Sequence, residues 1–129
     1  MRYLGSCHCK AIQFEIDAEI PLNAVRCNCS ICKKSGYLHL IIPLQHFTLI
    51  SGGGNLREYT FNTGVAKHTF CQTCGVKPFY TPRSHPQGID ININCLDGDI
   101  HVSKITEFDG INWEQNVDTL PHCGNTLQD

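Results

Sequence analysis

What the sequence lacks narrows its function first. No apolar run approaches the roughly 18–20 residues of a membrane-spanning helix, so a membrane partner is not expected. No charge dominates: ten Lys and Arg stand against twelve Asp and Glu, a net charge of −2. General binding to DNA or RNA draws on a surplus of cations that neutralise phosphates, so nucleic acid is not an expected partner. The seven histidines show no His-x-x-x-His pair. The glycine run in Ser51-Gly52-Gly53-Gly54-Asn55 has no following Lys-Ser/Thr or helix, which removes a phosphate-loop reading. The opening Met1-Arg2-Tyr3-Leu4-Gly5 carries no apolar stretch of secretory type, and a cytoplasmic location is expected.

Cysteine is what the chain has in excess, at nine of 129 residues. Without a secretion signal, that usage points to a reducing compartment and to metal rather than disulfides. The competing reading is a disulfide scaffold. Against it, an odd count leaves one thiol over. A Cys7–Cys9 or Cys27–Cys29 bridge would also force a cramped ring on a bond with narrow geometric limits.

Cys27-Asn28-Cys29-Ser30-Ile31-Cys32 puts three thiols in six residues. Zinc takes four ligands in a tetrahedron, and three thiolates leave one position for water or substrate, as in catalytic sites. Cys71-Gln72-Thr73-Cys74-Gly75 is half of a zinc knuckle, its glycine suited to the turn. A redox dithiol would need a strand–helix–strand frame that is not evident here. Cys7-His8-Cys9 is the pair left to complete that site. Cys95 reads as a small buried hydrophobe in preference to a fourth ligand of the triple-thiol site. His39, His46 and His68 stay open as fourth ligands, because imidazole binds zinc well. Cys123 reads as a spectator.

The strand signals give a mainly β domain over residues 1–129. Ile12-Gln13-Phe14-Glu15-Ile16 alternates, as does Ile89 to Asn94 with Ile89, Ile91 and Ile93 on one face. Pro21 and Asn23 mark a turn before a short strand at Ala24-Val25-Arg26. Tyr37 to Ile42, Lys67 to Phe70 and Pro78 to Tyr80 read as strands. Phe47–Ile50 and Leu56–Phe61 read as a hairpin around the glycine run. Ser30 is placed to cap one helical turn, Gly36 to end it, and Lys33 and Lys34 to lie at its C-terminal end. Beyond Asp97 the apolar pieces Val102, Ile105, Phe108 and Trp113 close the core.

Three stretches, Gly5-Ser6-Cys7-His8-Cys9, Cys27 to Lys34 and Phe70 to Val76, resemble the cysteine motifs of the glutathione-dependent formaldehyde-activating enzyme family. Tyr59 to Thr63, Phe79 to Ser84 and Cys95-Leu96-Asp97 resemble the branch that contains centromere protein V. The likeness runs from about residue 5 to 113, with Lys33 where many bacterial members have Arg. It implies a zinc-stapled, mainly β fold of antiparallel sheets with little helix, the β-tent. It implies two zinc ions: a structural one on Cys7, Cys9, Cys71 and Cys74, and one on Cys27, Cys29 and Cys32 that is open towards glutathione. It implies a carbon–sulfur lyase type of activity that joins formaldehyde to glutathione as S-hydroxymethylglutathione.

That chemistry suits the site, since a thiol attacks a carbonyl as thiolate and zinc deprotonates a coordinated thiol. Lys33, Lys34 and Arg83 are the candidate partners for glutathione's carboxylates. The expected partners are glutathione or another small thiol and a small aldehyde, with the oligomeric state left open. Two other classes compete: a non-catalytic module that docks a thiol or a partner, and a structural zinc protein whose second site is closed.

Overall fold

The structure is a computed structural model and describes residues 1–120, so Cys123 lies outside the described residues. Ten strands occur in chain order: β1 (Arg2–Ser6), β2 (Gln13–Asp17), β3 (Leu22–Cys27), β4 (Leu38–Pro43), β5 (Phe47–Ser51), β6 (Leu56–Tyr59), β7 (His68–Cys71), β8 (Phe79–Tyr80), β9 (Gly88–Asn92) and β10 (Val102–Phe108). Among the described residues two short α-helices join them, α1 (Ser30–Ser35) and α2 (Trp113–Asn116). The fold is mainly β, as the alternation predicts.

Alternation decides the layers. Phe14 and Ile16 of β2, with Ile12 before it, turn to one side and are fully buried, while Gln13 and Asp17 face water. β2 is the centre of a three-stranded antiparallel sheet, order β1-β2-β5. A five-stranded sheet, order β10-β3-β4-β9-β8, faces it. Its inner face carries Leu22, Ala24, Ile89, Ile91 and Phe79 into the shared core. Phe14, Phe47 and Phe79 meet there, with ring centroids 4.8–5.8 Å apart. Truncating such a ring typically costs about 3–5 kcal/mol.

The outer face of the five-stranded sheet builds the site. Register sets Val25 opposite His39, and Ile41 opposite Asp90, which is in turn opposite Tyr80. These five residues form one band across four strands. β10 runs parallel to β3, an exception to the expected antiparallel pairing, and most of its side chains are exposed.

Two local expectations need correction. β5 and β6 do not pair as a hairpin: β5 pairs with β2, and β6 with β7 in a separate two-stranded sheet. The glycine run instead brings the chain against the Cys7–Ile12 loop, where a Cβ on Gly52 would collide with the backbone of Ala11 and Ile12. Ser30 does not cap α1. Cys29 is the N-cap residue in extended conformation, and its carbonyl accepts from the Lys33 N–H at 2.9 Å. Gly36 ends α1 in the left-handed region, as its position predicts, with its N–H on the Cys32 carbonyl at 3.0 Å. Among the described residues no helix is long and apolar enough to cross a membrane.

Candidate functional site

Among the described residues two groups of thiols come together, Cys7, Cys9, Cys71 and Cys74 in one and Cys27, Cys29 and Cys32 in the other. Within each group the sulfurs lie within 4.8 Å of one another. The fit to a metal is testable from sulfur spacing. Four sulfurs at about 2.3 Å from one centre, in a tetrahedron, lie about 3.8 Å apart. Cys7 Sγ to Cys9 Sγ is 3.7 Å, and Cys9 Sγ to Cys71 Sγ is 3.6 Å.

Local backbone prepares the four-thiol group for negative charge. Lys10 adopts a left-handed φ of 65° between the Cys7–Cys9 pair and β2, and the Ile12 N–H points at Cys7 Sγ at 3.4 Å. Gly75, also left-handed, turns the knuckle so that the Thr73 and Cys74 N–H groups both reach Cys71 Sγ at 3.4 Å. Asn55, from the glycine-rich loop, donates to the same sulfur at 3.1 Å. Burial opposes ionisation of Cys71, but the N–H groups of Cys74 and Thr73 and the Cys9 thiol outweigh it and bring it down to about 6. The donor set fits a soft divalent metal such as zinc.

The three-thiol group hangs between β3 and α1. The thiols of Cys27 and Cys32, helped by the backbone N–H groups of Cys32 and Ile31, pull Cys29 down to about 2 against its burial. Hydrogen bonding to that shared negative charge pushes Cys32 up. The first thiolate thus falls on Cys29, held by the thiols of Cys27 and Cys32. Gly110 packs directly on it, and a Cβ there would run into Cys27 Sγ.

A buried polar line reaches the same group. His39 Nε2 lies 3.1 Å from Cys32 Sγ, and His39 Nδ1 lies 2.6 Å from Asp90 Oδ2. A carboxylate only accepts, so Nδ1 donates to Asp90 and Nε2 turns to the sulfur. Asp90 Oδ1 is sealed without a hydrogen-bond partner. Tyr37 Oη donates to the Asp90 carbonyl at 2.6 Å, fixing the strand that carries it.

The three thiols form part of the wall of a cavity of about 610 Å³. Phe61, His68, Tyr80 and Trp113 give it an aromatic side, and His39, Asp90, Arg83 and Gly110 also line it. None of the four other clustered thiols lines it. Arg83 is the one Lys or Arg among the described lining residues. Its guanidinium stacks 3.8 Å over the Trp113 ring and pairs with Glu114 at 3.0 Å. Lys33 and Lys34 are exposed at the end of α1 and do not line the cavity.

The chain matches the family described as glutathione-dependent formaldehyde-activating enzyme over residues 2–108. It belongs to that family. A Halomonas elongata protein, provisionally named a glutathione-dependent formaldehyde-activating enzyme, is 25% identical over 104 residues. The alignment covers 74% of this chain and 66% of that relative, so the chain spans about two thirds of its length. A crystal structure of a Rhodobacter sphaeroides protein superposes with a TM-score of 0.71 at 33% identity, covering 80% of this chain and 99% of that one.

The candidate fourth ligands separate in space. His39 is nearest, but it stands outside the group of mutually close donor atoms. His46 ends the turn after β4 and lies near Asp17 of β2, in the other sheet. His68 lines the cavity. Cys95 packs against the core beside Cys7 and Cys74, and burial holds its thiol up at about 12. Asp90 and Gly110 were not legible as site residues. Asp90 is a polar position on an alternating strand, which ordinarily faces water. Gly110 matters through a contact some 80 positions away in sequence, which no local motif announces.

Proposed function

We propose that the chain is a zinc-dependent enzyme that joins glutathione, or a similar small thiol, to formaldehyde as S-hydroxymethylglutathione. In this reading Cys7, Cys9, Cys71 and Cys74 hold a structural zinc, and Cys27, Cys29 and Cys32 hold a second. The observation that carries it is the difference in access: the three-thiol group opens on a cavity and the four-thiol group does not. Family membership supports the reading.

A zinc ion on three thiolates supplies a Lewis-acid centre with an open position for a substrate sulfur. The chain's own residues do the rest. Cys27, Cys29 and Cys32 bind the metal as thiolates, and Gly110 leaves room for Cys27 to do so. Asp90 orients the His39 ring against Cys32. Phe61, Tyr80 and Trp113 exclude water from the reacting atoms, and Arg83 is the cation within reach of a glutathione carboxylate. Lys33 and Lys34 contribute only a positive rim. The expected location is the cytoplasm.

A second reading is a non-catalytic thiol-binding module. It is favoured by Arg83 being already paired with Glu114, which leaves glutathione's carboxylates without an unengaged cation among the described lining residues. Exchange-resolved NMR of glutathione and formaldehyde separates the two. At about pH 6.5 a free thiol is only ~1% ionised, so an enzyme should accelerate adduct formation clearly, and Cys29→Ala should abolish the gain. Binding of glutathione with no acceleration would select the module.

A further inference from the structure

One histidine on the cavity wall is not absorbed by the metal. His68 opens β7, and so comes from the two-stranded sheet to face the same cavity as Cys27, Cys29 and Cys32. Its ring is held flat in a stack, with Phe61 at 5.3 Å and 23° and Tyr80 at 4.8 Å and 16°. Lys77 Nζ lies 2.7 Å from His68 Nδ1, and the same ammonium sits 3.8 Å over the Tyr80 ring and 4.9 Å over that of Tyr37.

This arrangement selects one tautomer. Burial, followed by the Lys77 charge, lowers His68 to about 4, so the ring is neutral near pH 7. Burial brings Lys77 down only to about 8, so it remains mostly an ammonium there. An ammonium donates and cannot accept. Nδ1 is therefore the acceptor, and the ring hydrogen sits on Nε2. No described residue makes a hydrogen bond to Nε2, and this atom is not among those sealed from solvent without a partner, as Asp90 Oδ1 is.

We propose that His68 donates its Nε2–H to the carbonyl oxygen of the aldehyde, and then to the alkoxide oxygen that replaces it. The inference rests on the thiol–aldehyde reading above. In the step, the thiolate sulfur attacks the carbonyl carbon. A C–S bond forms, the C=O π pair moves to oxygen, and the proton lost by the thiol reaches that oxygen through water. Nothing is oxidised or reduced. His68 keeps its proton and stabilises the developing charge, as preorganised donors do. Neutral imidazole serves as such an electrophile in other enzymes. Lys77 is a positioning residue that acts through the tautomer.

The test uses the zinc-loaded full chain with glutathione and formaldehyde at about pH 6.5, where few free thiols are ionised. Nitrogen-15 NMR of labelled histidine should report His68 neutral and protonated at Nε2, and Lys77→Met should let the Nδ1–H tautomer appear. His68→Phe keeps the stack and removes the donor. The protein-dependent rate should then fall about 100-fold, the lower edge of the loss seen when one oxyanion donor is removed. Glutathione affinity should change less than about twofold, because ground-state binding does not use the donor. A wild type protonated at Nδ1, or His68→Phe with full rate, overturns the role of His68 and leaves the thiol–aldehyde reading standing. Should His68→Phe not fold, a full rate in Lys77→Met with the Nδ1–H tautomer populated overturns it equally. A wild type that binds glutathione without acceleration sinks the thiol–aldehyde reading, and the role of His68 with it.

Discussion

The two thiol groups use one element in two settings. Around Cys7, Cys9, Cys71 and Cys74 the chain closes in: four sulfurs, three backbone N–H groups on them and the Asn55 amide leave little for a ligand to do. This group ties the Cys7–Ile12 loop of the three-stranded sheet to the end of β7, elements far apart in sequence. Around Cys27, Cys29 and Cys32 there are three sulfurs, backbone N–H groups on Cys27 and Cys29, one histidine contact and a wall of aromatic and titratable side chains. A site that joins distant segments contributes to folding, whereas a site on one short segment can be lost with less consequence.

The largest effect expected follows directly. Cys71→Ala should abolish cooperative melting, since structural zinc sites contribute about 10–16 kcal/mol, apparent, in small zinc peptides. Cys29→Ala should melt within a few degrees of wild type and lose one metal. Thermal melting by circular dichroism with elemental analysis measures both, and equal collapse would erase the distinction between the groups. Next comes Gly110→Ala. The added Cβ meets Cys27 Sγ, and overpacking of this kind costs about 1–3 kcal/mol. Metal content should fall from two towards one with the fold intact. Two tightly held metals in this variant would mean that the Cys27 sulfur can move aside.

Legibility in the sequence follows from the range of each interaction. The thiol groups were readable because metal spacing is local within each half-site, and only pairing Cys7-His8-Cys9 with Cys71 to Cys74 crosses the chain. β2 was readable because its two faces see different solvents. β9 was only half readable: Ile89 and Ile91 announce the core, but on the other face Asp90 is buried in the cavity wall and Asn92 is buried with its amide on the Lys77 carbonyl. Alternation reports that two faces differ, not that the polar one is wet. The hairpin expectation for β5 and β6 failed because glycine between two strands signals either a tight turn or a close approach. Gly52 against Ala11 and Ile12 is the latter.

Asp90→Asn sharpens the comparison at a smaller scale. It removes the charge that orients His39 against Cys32 and leaves the four-thiol group untouched. Outer partners of metal ligands are typically worth 10–100-fold in affinity. Competition with a chromophoric chelator should therefore release the second metal about tenfold more easily and leave the first unchanged. Asn55→Ala is the counterpart for the closed group. Losing its bond to Cys71 Sγ should cost about 1 kcal/mol, a few degrees of melting temperature, with both metals retained. If Asn55→Ala released its metal as readily as Asp90→Asn, the closed group would not be the more robust one.

Charge at the cavity gives effects that run from moderate, at Arg83, to the smallest of all, at Lys33 and Lys34. A carboxylate on the Arg83 guanidinium gains a charge-assisted bond of about 1.5–3 kcal/mol. The exposed pair with Glu114 must be given up, at about 0–1 kcal/mol. The remainder, about 1–2 kcal/mol, is a loss of about 5–30-fold in glutathione affinity for Arg83→Ala. Glu114→Gln frees the same cation and should tighten binding by up to about fivefold. Lys33 and Lys34 are exposed and off the cavity wall, so at about 0.15 M salt, with a screening length of about 8 Å, they should matter little. Replacing both by Ala should weaken glutathione less than about twofold and make its affinity less salt-dependent. Isothermal calorimetry at two salt concentrations reads all four proteins. A lysine effect larger than that of Arg83 would place the carboxylates at the end of α1, outside the cavity, and would move the substrate's peptide arms from the aromatic wall to the rim.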